Sequence, residues 1–185
     1  MKNVLDLLEE FGKLNDAKID GNGYLSPKAE RRWMELRSLY DGIMFSADSG
    51  NSPLPSFHID EVRRRLKHRG RLRVRADMEA FFRYKDMYLS SRLVNVSRGG
   101  LFLSSNILLN RGIRITVYLP NLAESYGDLF ETRTEVAWTN RLKSQEGLPR
   151  GMGVSFRGIG GKAATQLDAY IVETISERIS GKRVT

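Results

Sequence analysis

Downstream of residue 75 the apolar residues fall at every second position. In GIRITVYLP, Ile113, Ile115, Val117 and Leu119 alternate with Arg114, Thr116 and Tyr118. In ETRTEVAWT, Thr132, Thr134, Val136 and Trp138 share one face, and in GMGVSF Met152, Val154 and Phe156 do the same. A period of two puts successive side chains on opposite faces of a strand and does not suit a helix. AFFRY at 80–84, YLSSRLVNV at 88–96 and LFLSS at 101–105 are further short runs of this kind. Several short alternating strands separated by turn residues argue for an antiparallel barrel or sandwich. Trp138, on the face of Val136, reads as core.

The two ends of the chain have the other period. Val4, Leu5, Leu7, Leu8, Phe11 and Leu14 recur at helical spacing, and NDAKIDGNG then breaks the pattern. Ser26 is a good N-cap and Pro27 a good first-turn residue for a second helix, with Trp33, Leu36, Leu39 and Tyr40 as its apolar stripe. Residues 1–46 therefore read as a helical hairpin. SADSGNSPLPSFH is rich in Ser, Gly and Pro, and 47–62 reads as a linker. GKAATQLDAYIVETISERI is a closing helix with Ala164, Leu167, Ile171 and Ile175 in its stripe. The barrel with this helix spans 63–179.

Composition removes several classes of function. With 185 residues and an apolar fraction of 41%, the chain can build a core. It has no cysteine, so disulfides, thiolate metal sites and cysteine nucleophiles are excluded. Neither His58 nor His68 has the spacing of a zinc site. DAKIDGNGYLSPKAE fits no calcium loop, because Pro27 or Ala29 falls where the bidentate glutamate belongs. There is no H-E-x-x-H and no G-x-S-x-G, and GIGG at 158–161 lacks the ending of a phosphate loop. No catalytic residue and no metal ligand is expected, so the chain is not read as an enzyme. The start carries acidic residues where a signal peptide needs an apolar core, and no stretch has the length of a membrane span, which gives a cytoplasmic expectation.

The formal charge is +8, which favours anionic partners. The charge is concentrated in VRRRLKHRGRLRVRA, where arginine outnumbers lysine. The planar fork of an arginine pairs bidentately with phosphate or with the O6/N7 edge of guanine. A nucleic-acid interface using this stripe stays open, although the run has no aromatic residue to stack a base. The second component is NVSRGGLFLSS. Asn95 and Ser97 donate and accept hydrogen bonds, and the glycines permit a close approach, although the same residues also make an ordinary β-turn.

Together these residues resemble the PilZ domain, the bacterial receptor module for the second messenger cyclic di-GMP. The family pattern pairs an R-x-x-x-R element with a D/N-x-S-x-x-G element. The second falls on Asn95, Ser97 and Gly100. The first falls on Arg69 and Arg73 in the preferred register, while Arg65 with Arg69 and Arg71 with Arg75 also satisfy the spacing. GLFLSS and the three strands after it follow in PilZ order.

The resemblance implies a mainly β fold: a six-stranded antiparallel PilZ-type β-barrel with a C-terminal helix, preceded here by the α-helical hairpin. It implies cyclic di-GMP as ligand and no cofactor. Arg69 and Arg73 are expected on phosphates and guanine edges, and Asn95 and Ser97 on the opposite guanine and a neighbouring phosphate. Gly100 is expected to keep the surface open, with Arg98 adding charge or remaining solvated. A ligand-driven change of shape or of partner contacts is the expected output, with a protein effector as partner. A ligand-free interaction module of the same fold is the alternative, and formation of a homodimer stays open.

Overall fold

The computed structural model describes residues 4–45, 72–141 and 148–180. The expected linker at 47–62 lies outside them. The chain divides into two compact units, Met1–Val74 with Ile171–Thr185, and Arg75–Tyr170.

In the second unit the alternating segments form β2 (Met87–Ser97), β3 (Gly100–Ser104), β4 (Arg114–Leu119), β5 (Phe130–Asn140) and β6 (Gly151–Phe156). They are preceded by β1 (Val74–Tyr84). The strands close into a barrel in the order β1-β2-β3-β6-β5-β4, and their pairing is antiparallel. Its interior is filled by every second residue, among them Phe82, Leu93, Val96, Leu101, Leu103, Val117, Leu119, Phe130, Val136 and Met152, all buried. Each such side chain contributes roughly 1.5–3 kcal/mol by leaving water. The six-stranded antiparallel barrel, the closing helix and the N-terminal hairpin agree with the expected fold.

β1 begins six residues before the expected AFFRY strand. Val74, Ala76 and Ala80 are buried between exposed Arg75, Asp77 and Glu79, so a period of two was already present in the charged run. Small apolar residues among arginines disguised it. A short helix, α3 (Pro120–Tyr126), was not expected. Pro120 opens it, and Gly127, at φ 82°, closes it by donating its N–H to the Ala123 carbonyl at 2.7 Å.

In the first unit the hairpin is α1 (Val4–Asp20) and α2 (Pro27–Phe45). The first helix runs on through NDAKID, where a break was expected. Ala17, Lys18 and Ile19 do not stop a helix, and Trp33 of α2 donates from Nε1 to Asn15 Oδ1 at 3.3 Å. The stop is a Schellman turn at Asn22, φ 51°, with Gly23 N–H bonded to the Lys18 carbonyl at 2.7 Å. Ser26 caps α2 as its sequence position implies, its Oγ accepting from Ala29 N–H at 3.4 Å.

Leu5, Leu8 and Phe11 of α1 and Leu36, Tyr40 and Met44 of α2 are buried. Phe11 and Tyr40 pack with ring centroids 4.9 Å apart. Arg32 grips Glu10 across the hairpin with two bonds of 2.9 Å. The closing helix is α4 (Gly161–Ile179), and Ile171, Val172, Ile175 and Ile179 in its second half are buried.

Candidate ligand-binding face

Asn95 reaches the outer face of the barrel because β2 is irregular. Leu93 pairs with Leu103, and Asn95 pairs with Phe102, with the register slipping at Val94. Without the slip Asn95 would share the face of Leu93, which is core. β5 has the matching irregularity. Val136 pairs with Val154 but Trp138 pairs with Gly153, with the slip at Ala137. Val154 and Gly153 are consecutive and face opposite ways, so Trp138 faces away from Val136. The expectation that Trp138 shares the face of Val136 and belongs to the core is thus corrected: the bulge turns it outward, and it is 39% exposed.

The two slips align one cross-strand row on the outer surface, Asn95, Phe102, Gly153 and Trp138. The row is tightly fitted. The indole of Trp138 lies over Gly153, where a Cβ would come within 2.1 Å of Nε1. Its ring stacks on Phe102 with centroids 5.1 Å apart and planes 28° apart. Only glycine between the two rings permits this contact.

A second row runs beside it: Ser97, Gly100, Ser155, Glu135 and Arg114. The Ser97 hydroxyl works within its own turn, accepting from Gly99 N–H at 3.3 Å and donating to the Gly100 carbonyl at 3.3 Å. A Cβ on Gly100 would lie 2.1 Å from the Val154 carbonyl oxygen, so the contact of β3 with β6 already demands glycine there. Asn95 and Ser97 are 5% and 4% exposed. Arg98 is half-buried and not simply solvated: it donates from Nε to Asp168 Oδ1 at 2.9 Å and again from Nη2.

Of the arginine run, Arg65, Arg69 and Arg71 lie outside the described residues. Arg73 directly precedes β1 and is exposed, and partial desolvation lowers its guanidinium pKa from the ordinary arginine value. Its backbone is held within the first unit, where the Tyr40 hydroxyl donates to the Arg73 carbonyl. Burial pushes the Tyr40 phenol far above its usual range, with the Asp41 charge adding to the shift. Arg75 is exposed on β1. Asp77 on the same face is paired with Arg92, and the hydrogen bond from Arg92, assisted by the charges of Arg92 and Arg75, draws its carboxyl below the ordinary value.

Asn95, Ser97, Arg98 and Gly100 thus stand together on β2 and β3, joined by Trp138, which the strand pattern placed in the core. No spacing rule reveals a bulge at Ala137. The one available sign was Gly153 in the middle of a strand, which marks a close approach. Among the described residues no group of three or more His, Asp or Glu side chains could hold a metal, and no helix is long and apolar enough to cross a membrane.

No curated protein is similar enough in sequence to count as a match. Among solved structures the chain is similar to an inhibitor of motility (MotI/DgrA) from Bacillus subtilis. The likeness has 15% identity and a TM-score of 0.46, over 55% of this chain and 48% of that one. The chain therefore spans about half the length of that protein. The PilZ domain model matches residues 63–173, a span that holds all six strands, the Asn95–Gly100 turn and the arginine segment before β1, and the chain accordingly belongs to the PilZ domain family.

Proposed function

We propose that the chain is a receptor and adaptor for cyclic di-GMP. PilZ domains are receptor and adaptor modules rather than catalysts. The observation that carries the reading is the pair of register slips at Val94 and Ala137. They turn Asn95 and Trp138 out of the core onto one row, and bulges that re-aim side chains cluster at functional sites.

In this reading Asn95 hydrogen-bonds one guanine, and the half-exposed indole of Trp138 offers a face for stacking. The Ser97 hydroxyl, engaged by its turn, orients the Gly99 and Gly100 peptides beside a phosphate. Arg69 and Arg73 supply charge-assisted bonds to phosphates and guanine O6/N7 edges, with Arg65, Arg71 and Arg75 as the alternative registers. The arginines are dense in the sequence, and an anionic ligand neutralises their charge. A ligand-driven change of shape or of partner contacts is the signal passed to a protein partner.

A ligand-free interaction module is the second reading, and the near-complete burial of Asn95 and Ser97 favours it. Calorimetric titration with cyclic di-GMP, cyclic di-AMP, GTP and a short oligonucleotide decides between the two. Adenine presents a donor where guanine presents O6, and the lost bond costs about 1–3 kcal/mol. Selective binding of cyclic di-GMP is expected. Equal affinity for both dinucleotides, or heat from none, removes the receptor reading.

A further inference from the structure

A second concentration of positive charge stands on strands other than β2 and β3, which carry the Asn95–Gly100 turn. Arg83 on β1, Thr116 on β4 and Arg133 on β5 form a cross-strand row on the outer face. Arg157, just past β6, joins the row by donating its N–H to the Arg133 carbonyl at 3.1 Å. With Lys85 and Arg114 these side chains line a concavity of about 660 Å³.

The charge in this concavity is largely uncompensated. Glu135 is held by Arg157 through bonds of 3.1 and 2.5 Å, and Arg114 lies 3.9 Å from it. These arginines draw its carboxyl below the ordinary value. Arg83, Lys85 and Arg133 are exposed and have no acidic partner within ion-pairing distance among the described residues. Lys85 stands in the two-residue turn between β1 and β2, its backbone at φ 54°. Like charges gathered on one rigid concave surface repel, and an anionic occupant relieves that repulsion.

The lining narrows the choice of anion. Among the described residues that line it there is no aromatic ring, so these offer no platform for stacking a nucleobase. The concavity is mostly polar and wide open, unlike the enclosed apolar pockets of small molecules. The barrel is closed, so an incoming chain meets side chains and not a free strand edge. Arginine forks spaced over neighbouring strands match several carboxylates on one extended segment. We propose that this concavity docks an acidic segment of a protein partner, whose Asp and Glu carboxylates pair with Arg83, Arg133 and Lys85.

The site shares strands with the ligand face. The row Ser97, Gly100, Ser155, Glu135 and Arg114 runs from the motif turn to the rim of the concavity. Docking itself rests on charge and shape and stands whether or not cyclic di-GMP binds.

The test uses the full chain and a fluorescein-labelled oligo-glutamate peptide, read by anisotropy at low and high salt. Wild type is expected to bind with an affinity that falls as salt rises. Arg83→Glu with Arg133→Glu is expected to weaken binding at least about tenfold, while the melting temperature and the cyclic di-GMP titration stay at wild-type values. Arg83→Gln with Arg133→Gln carries the same expectation if charge reversal unfolds the barrel. Lys28→Glu with Arg31→Glu makes an equal change of charge on α2 and is expected to leave binding near wild type. Equal loss in that control would overturn the site in favour of general attraction. Tighter binding of oligothymidylate than of the peptide, or displacement of the peptide by inorganic pyrophosphate at equal concentration, would overturn the acidic protein segment as the occupant.

Discussion

Arg98 donates from Nε to Asp168 Oδ1 at 2.9 Å, which bonds the turn between β2 and β3 to the N-terminal half of α4. The arginine occupies the motif position between Ser97 and Gly100, so the charge nearest the motif turn is already matched by a carboxylate. An anionic ligand reaching this turn has to compete with Asp168 for the guanidinium.

Asp168→Asn is therefore expected to raise cyclic di-GMP affinity about three- to tenfold, a gain of about 0.7–1.4 kcal/mol, by releasing Arg98. It is expected to cost about 1 kcal/mol or less of fold stability, because the pair is partly exposed and screened. Hydrogen exchange in residues 161–170 should quicken at the same time. Unchanged affinity in calorimetry would remove Arg98 from the ligand's contacts and leave the pair a purely structural tie.

The two glycines of the outer rows fail differently when given a methyl group. Gly100→Ala drives a Cβ against the Val154 carbonyl, which is backbone and cannot step aside. A loss of about 1–3 kcal/mol in urea unfolding is expected whatever is bound. Gly153→Ala meets the indole of Trp138, which can swing away. Its stability loss is expected to be smaller, accompanied by a red-shifted tryptophan emission. If Trp138 stacks on a guanine, Gly153→Ala and Trp138→Ala both weaken cyclic di-GMP about tenfold or more. Wild-type affinity in both would return Trp138 to a packing role.

The contrast between these positions explains what could be read in advance. Alternation alone located six strands, because one buried face and one wet face leave a mark every second residue, as in Ile115, Val117 and Leu119. The motif turn was legible because Asn95, Ser97 and Gly100 lie within one short stretch of the sequence. Trp138 was not, because one extra residue at Ala137 reverses every face assignment after it without altering the local pattern. The start of β1 hid in the arginine run because Ala76 and Ala80 carry little apolar signal. The basic concavity was illegible for another reason. Arg83, Arg133 and Arg157 are far apart in sequence, and only the β1–β4–β5 pairing brings the first two onto one row.

Tyr40 joins the hairpin to the segment that enters the barrel. Its hydroxyl donates to the Arg73 carbonyl, while its ring packs on Phe11. Tyr40→Phe keeps the packing and removes the hydrogen bond to the Arg73 carbonyl, at an expected cost of about 0.5–1.5 kcal/mol in urea unfolding. A chain beginning at Phe57 loses much more. Leu72, Val74, Ile171 and Ile175 are buried residues of the unit that also contains α1 and α2. Removing both helices is expected to expose them and yield aggregated protein. A soluble truncated chain with full ligand affinity would show that the hairpin is separable.

The last expectation concerns acid. Asp77 and Glu135 have carboxyl pKa values below their ordinary 3.8 and 4.5, drawn down chiefly by hydrogen bonds from Arg92 and Arg157. A carboxylate whose pKa is lower folded than unfolded stabilises the fold above its unfolded pKa, and that contribution disappears as pH falls through the folded value. The melting temperature should thus be insensitive to these two groups from about pH 7 to about pH 5, and their contribution should be lost below about pH 4. Asp77→Asn and Glu135→Gln should each be less stable than wild type at neutral pH and approach it in acid. Both pairs are near the surface, so each difference is small and shrinks further in strong salt. Glu135 also faces the arginines of the concavity. Glu135→Gln releases Arg157 and adds one net positive charge there, so it should tighten oligo-glutamate binding while lowering neutral-pH stability. An anisotropy titration of that variant at pH 7, set beside its thermal melt, separates the two effects. Weaker peptide binding by Glu135→Gln would contradict both the docking site and the role given to Glu135 within it.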